Sequence, residues 1–176
     1  MLQLVPWVER RWSFDLPLAA FPAVLERLVG TPVRATALVA GVPETILHTR
    51  RSRGWSVKEH LGHLIDLSEL DMRRLDEFLA GARMLSAADI SNRGTEEANH
   101  RETPIADLLG ALRESRQRLT LRLERLTESD LGATARHPRL GVSLRVIDWA
   151  ELVADHDDHH LAAARIALRS FTGRQP

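Results

Sequence analysis

Residues Leu144–Thr172 read LRVIDWAELVADHDDHHLAAARIALRSFT. Apolar residues fall at Val146, Trp149 and Val153, then at Ala163 or Ala164, then at Ala167. That is the three-or-four spacing of a helix with one inward face. Carried through the gap, the same rhythm lands on His156 and His160. Two histidines thus occupy positions where core is expected, four residues apart, and their side chains leave one face a turn apart. A buried imidazole is costly unless its nitrogens are paired, and two protonated ones repel. A shared divalent cation removes both difficulties, because neutral imidazole is the ligating form. His159 points about a hundred degrees away from His160 and reads as a flank. The bland alternative is a solvated His/Asp patch, which Asp155, Asp157 and Asp158 keep open.

Working outward, three more helical stretches precede this one. The first fifteen residues read as an extended arm that Trp7, Trp12 and Phe14 pin to the body. Helical signal runs from Pro17 to Val29, breaks at Gly30, restarts at Thr31-Pro32 and stops at Gly41-Val42-Pro43. Ser56 and Glu59 have capping-box spacing and open a second helix, Val57 to about Ala80, with Val57, Leu61, Leu64, Leu67, Leu75 and Leu79 as its stripe. Residues 81–103 read as a long loop with at most a helical turn, and loops of that length often carry function. Thr103-Pro104 caps a third helix striped by Ile105, Leu108, Leu112, Leu119, Leu123 and Leu126. Residues 127–142 read as a loop, and the last helix starts near Leu144 and ends close to Thr172-Gly173. Four amphipathic helices with no convincing alternating strand predict an all-α four-helix bundle, residues 1–176 forming a single domain. The connections are long enough for crossovers.

Composition narrows the function. Lys+Arg and Asp+Glu are both 24, so net charge is zero and the basic excess expected of a nucleic-acid binder is missing. Tyrosine is absent, which leaves few platforms for stacking bases. With no cysteine, disulfides, thiolate metal sites and a cysteine nucleophile are excluded. No apolar run approaches the length of a membrane span, and the segment MLQLVPWVERRW does not read as a secretion signal. A cytoplasmic location is the expectation, with no membrane or nucleic-acid partner.

A catalytic metal site of the zinc type takes about three protein ligands and keeps one position open. The second helix offers His60 and His63. Periodicity mildly favours His60, nearer the centre of the stripe, and does not decide between them. Trp55-Ser56 followed by His63-Leu64-Ile65-Asp66, together with the late run His156 to His160, resembles the DinB/YfiT-like superfamily of bacterial metalloenzymes. The resemblance extends over most of the chain in helix order and loop placement. It implies a four-helix bundle, often a homodimer, and a divalent metal on His63, His156 and His160. Zinc, nickel and manganese all occur among such proteins. It also implies kinship with transferases that use low-molecular-weight thiols such as bacillithiol or mycothiol, and with a thiol-dependent maleylpyruvate isomerase.

Other polar residues have simpler readings. Glu59 is explained by capping. Asp66, nearly one turn after His63, is either support for that ligand or a solvated face. Asp71 falls near the apolar stripe and reads best as a buried partner for an arginine, with extra ligand or general base as alternatives. His48, His100 and His137 receive no role. Arg50-Arg51-Ser52-Arg53 is read as solvated surface, with an anionic substrate as the sharper alternative. Three function classes follow: a metal-dependent enzyme of the thiol-transferase type acting on a small molecule, a metal-dependent hydrolase, and a non-catalytic metal-binding or helical interaction protein.

Overall fold

The computed structural model describes residues 4–50 and 54–172. Helix α1 (Phe21–Val39) packs on α6 (Ile105–Leu123) and α8 (Val146–Thr172), with α2 (Glu44–Leu47) following α1. Helix α3 (Val57–Asp66) fills the opposite corner against α6 and α8, and α4 (Ser68–Leu79) continues it. These rods make the four-helix bundle expected from the sequence. Among the described residues, no helix is long and apolar enough to cross a membrane.

Several boundaries differ from expectation. Helix α1 does not break at Gly30 or Pro32; both lie inside it. Glycine and proline cost a helix interior roughly 1 and 3 kcal/mol. Val24, Leu28, Ala35 and Leu38 are buried on one face of α1, and each fully buried aliphatic chain returns about 1.5–3 kcal/mol, so packing wins. In the turn before Pro32 the Arg27 carbonyl accepts extra bonds, from the Thr31 hydroxyl at 3.1 Å and the Arg34 guanidinium at 2.8 Å. The predicted second helix is two, α3 and α4, bent at Leu67 while keeping the bonds Leu67 N to His63 O (3.3 Å) and Asp71 N to Leu67 O (2.9 Å). Beyond the bend Phe78 is buried, and Leu79, expected in the stripe, is turned out to 40% exposure.

The capping box of Ser56 and Glu59 forms as expected. Thr103 does not cap α6. Pro104 takes that position, and the Ile105 amide donates to Glu44 at 3.0 Å. The loop 81–103 contains the short helix α5 (Arg93–Glu97). The stretch 127–142, expected to be all loop, holds α7 (Glu128–Leu131) and the first strand of an antiparallel hairpin, β1 (Thr134–Arg136) with β2 (Ser143–Arg145). Strands of three residues are too short to print an alternation on the sequence. The last helix starts at Val146, after β2, and Gly173 lies outside the described residues. The hairpin is stitched to the loop after α4 by Leu85 N to Arg136 O and Arg136 N to Arg83 O, both 3.0 Å.

Two apolar clusters fill the bundle. One joins the start of α8 to α1, α4 and the hairpin through Leu75, Phe78, Leu144, Ile147 and Trp149. The other joins its far end to α3, α6 and α1 through Leu61, Leu64, Leu112 and Leu161. The arm lies on the first cluster by Trp7, Trp12 and Phe14, as expected. It is fixed by Arg10 and the Trp12 indole, both donating to Asp155 at 3.0 Å. Between the clusters α8 carries the run His156–His160.

Candidate metal centre

Helix α3 presents His63 to α8, where His156 and His160 stand one turn apart. One nitrogen from each of the three rings lies within 4.8 Å of the others. The Nε2 atoms of His156 and His160 are 3.1 Å apart. Two nitrogens bound tetrahedrally to one zinc at 2.0–2.1 Å would stand about 3.3 Å apart. The spacing therefore fits two ligands of one ion.

The hydrogen bonds behind His63 assign its free nitrogen. Asp66, as a carboxylate, only accepts. It receives the Thr95 hydroxyl at 2.7 Å and His100 Nε2 at 3.0 Å. Thr95 thus spends its proton on Asp66, and at 3.0 Å it accepts from His63 Nδ1. With the proton on Nδ1, the lone pair of His63 is on Nε2, the atom left for the cluster; the tautomer is assigned from this network. Helix α3 approaches the loop closely here. A Cβ built on Gly62 would lie 2.1 Å from the His100 ring, so only glycine admits His100 beneath Asp66. His160 is held similarly, with Nδ1 3.0 Å from Nδ1 of His60 and Nε2 toward His156. His60 thus supports His160 from behind. His63 is the histidine of α3 that joins the three-nitrogen group.

Burial keeps these rings neutral. Desolvation pushes His60 and His63 down to about 4. It drives His156 and His160 well below the usual imidazole value, with neighbouring rings adding repulsion. Neutral imidazole is what a cation requires. Trp55 covers the group from one side, with its ring 4.9 Å from His63 and 5.8 Å from His160. Trp7 of the arm meets His156 edge-on at 4.8 Å. The three rings open on a cavity of about 680 Å³, walled by Trp7, Trp55, Leu70, Ile90, Trp149 and Leu152 and reaching Arg74, His137 and Arg139. That volume is within the range of small-molecule sites.

The other polar residues of this layer are structural. Asp157, next to His156 in sequence, turns into the core and is fully buried. It accepts from Arg116 Nε at 2.8 Å and Nη2 at 2.6 Å. Asp71 is 3.9 Å from the third nitrogen of Arg116, which bears out its reading as the buried partner of an arginine. Its carboxyl also borders the cavity, and burial pushes it up to about 6 despite that cation. Glu59 both caps α3 and binds Arg50. Arg50, from the basic run considered for an anionic substrate, is also bonded to Glu96 at 2.6 Å. The remaining residues of that run, Arg51, Ser52 and Arg53, lie outside the described residues.

Sequence reasoning missed Thr95, His100 and Arg116. Thr95 and His100 lie in the aperiodic stretch 81–103, where spacing carries no information. The available signal was Gly62, a glycine inside a helix beside a candidate ligand. Arg116 was recoverable: the leucine stripe of α6 skips from Leu112 to Leu119, and Ser115 and Arg116 stand in the gap, both buried.

Comparison with known proteins bears on the fold and the family. No curated protein matches the chain. Among solved structures, YfiT from Bacillus subtilis superposes with a TM-score of 0.82, covering 93% of this chain and 94% of YfiT at 20% identity. YfiT is described as a probable metal-dependent hydrolase with an unusual four-helix bundle topology. At that identity the likeness speaks for the fold. The sequence model of the DinB superfamily matches residues 27–164, from within α1 to within α8, and the chain belongs to that superfamily.

Proposed function

We propose that this protein is a divalent-metal-dependent enzyme acting on a small molecule, with His63, His156 and His160 as ligands and a coordination position open to the cavity. The observation that carries the proposal is the convergence of three neutral imidazoles, each ring buried or half-buried, at the wall of a 680 Å³ cavity. A bound cation would lower the pKa of a thiol or water at the open position, giving a nucleophile at neutral pH. Zinc and nickel suit such a donor set, and the resemblance adds manganese.

The chain's own residues divide the remaining tasks. Thr95 and Asp66 hold the proton of His63 on Nδ1, and His60 orients His160. Trp7, Trp55 and Trp149 exclude bulk water from the reacting groups. The chain has no cysteine, so a thiol nucleophile must arrive on a low-molecular-weight cosubstrate, and the cavity has volume for one beside a small electrophile. We therefore assign transfer to a thiol as the first reading, in a protein expected to work as a homodimer. Hydrolysis by metal-activated water is the second, favoured by the fold-level likeness to YfiT.

The test is purified protein loaded with zinc, nickel or manganese and offered bacillithiol, mycothiol or glutathione with a panel of electrophiles, and simple esters in parallel. Thiol consumption that His160→Ala abolishes supports the first reading. Ester hydrolysis without thiol transfer moves the assignment to the second. Metal-loaded protein inert in both arms contradicts both.

A further inference from the structure

The histidines are one end of the cavity's chemistry; the hairpin wall is another. Arg74 from α4 and His137, Pro138 and Arg139 from the turn between β1 and β2 line the same space. The lining holds two acids, Asp71 and Asp89. Asp89 accepts from the Ser91 hydroxyl and amide at 2.6 and 2.9 Å, and Asp71 lies between Arg116 and Arg74. Arg74 donates Nε and Nη2 to the Ser86 carbonyl at 2.9 and 2.8 Å, which fixes its guanidinium in the wall. Glu77, also near Arg74, is outside the lining and bonded to the Ser86 amide at 2.7 Å.

Arg139 has no acidic partner among the described residues. Its guanidinium lies 5.8 Å from the Trp12 ring, and the influence acting on it is partial desolvation. His137 between these cations is depressed to about 4 by burial and by both arginines, so it adds no charge near neutral pH. Trp149, in the same wall, has its indole N–H buried without a protein acceptor. The wall therefore presents buried donors from Arg74 and Trp149, the exposed Arg139 guanidinium with no acidic partner among the described residues, and one acid, Asp71, whose charge Arg116 and Arg74 offset. That is the complement of a single anionic group on an otherwise apolar molecule, and a guanidinium fork fits a carboxylate.

We propose that the substrate of this site carries a carboxylate, held by Arg139 with Arg74 at the hairpin wall while the rest of the molecule lies along the tryptophans toward the histidines. The proposal rests on the cavity being the substrate site and not on the identity of the reaction. One carboxylate leaves the far end of the substrate uncharged for the reacting centre.

The test uses the full-length protein and two probes of equal shape, 4-phenylbutanoate and 4-phenylbutanamide, titrated calorimetrically, with metal content measured on every sample. The acid should bind at least about tenfold more tightly than the amide, as a charge-assisted pair in a partly dry site allows. Arg139→Ala should cut that preference below about threefold, with Arg139→Gln as a second variant, while both keep the wild-type metal content and melting midpoint. Equal binding of acid and amide overturns the proposal. So does a preference that survives Arg139→Ala and disappears on metal removal, because the carboxylate would then sit on the metal. The comparison is repeated on metal-free protein. If the wild type takes up no metal, the metal assignment fails, while the acid–amide difference still scores the carboxylate site by itself.

Discussion

His156 and Asp157 are adjacent on α8 and have opposite fates. Asp157 turns into the bundle, where Arg116 answers it with two bonds. His156 turns to a cavity wall, where its nearest polar neighbour is another neutral imidazole. Asp157 is answered within the chain, and the third nitrogen of Arg116, without a hydrogen bond of its own, faces Asp71 at 3.9 Å. The second group gathers lone pairs that the chain alone does not satisfy. A buried polar group that its own protein completes belongs to the architecture; one that needs something from outside marks a place where chemistry occurs.

The sharpest way to break the comparison is to remove half of the sealed pair. Arg116→Met leaves Asp157 charged and alone in the core, and loss of one partner of a buried pair costs about 3–5 kcal/mol. Urea unfolding of Arg116→Met should show that loss. The double variant Arg116→Met/Asp157→Leu should recover part of it, because a volume-matched apolar pair is often neutral or better, the remainder being the loss of the Arg116 cation beside buried Asp71. The histidine group should behave oppositely. His156→Ala or His160→Ala should barely reduce the stability of metal-free protein, yet lower metal affinity by more than the roughly 10–100-fold that an outer partner is worth. A competition titration against a chromophoric chelator measures this.

Thr95→Val isolates the support behind His63. It removes the acceptor for Nδ1 and the donor to Asp66 while leaving all three candidate ligands in place. Metal affinity should fall about 10–100-fold, with stoichiometry still one per chain. A valine variant that binds like wild type would mean that packing, and not the Thr95–Asp66 relay, orients the ring.

The smallest effect is on pH dependence. His60 and His63 titrate at about 4 in the folded chain and near 6.5 when unfolded, and His156 and His160 are shifted in the same direction. Between those values the unfolded chain binds more protons, so stability falls as pH drops from 6.5 toward 4. Asp71 opposes this, being raised to about 6 when folded, so its own contribution is lost as pH rises through 6. The histidines outnumber it, and the net slope in metal-free protein should be positive with pH. Urea midpoints at pH 4.5, 5.5 and 6.5 give the sign, and saturating metal should steepen it, since ligands must shed protons to bind.

Much of the fold was legible because amphipathic period is set locally. The stripes of α3, α6 and α8 and the capping box at Ser56 were readable from spacing. So were the inward positions of His156 and His160. What was not legible depended on tertiary contact. Gly30 and Pro32 read as a break, and only the buried face of α1 overrides it. His60 and His63 could not be ranked by periodicity because both lie near one face. Their separation comes from what each meets across the interface: Nδ1 of His160 in one case, Thr95 in the other. Thr95 and His100 come from a stretch without period, and their contribution appears only when α5 and the turn after it, which brings His100 against Gly62, close on α3.

The central claim is a single divalent ion on His63, His156 and His160. Equilibrium metal titration, with bound metal counted by mass spectrometry of the dialysed protein, tests it most directly. One ion per chain is expected in wild type and in Arg116→Met/Asp157→Leu, and none in His63→Ala, His156→Ala or His160→Ala that remain folded. Metal retained in the folded histidine variants, or wild-type protein that takes up none, would contradict it.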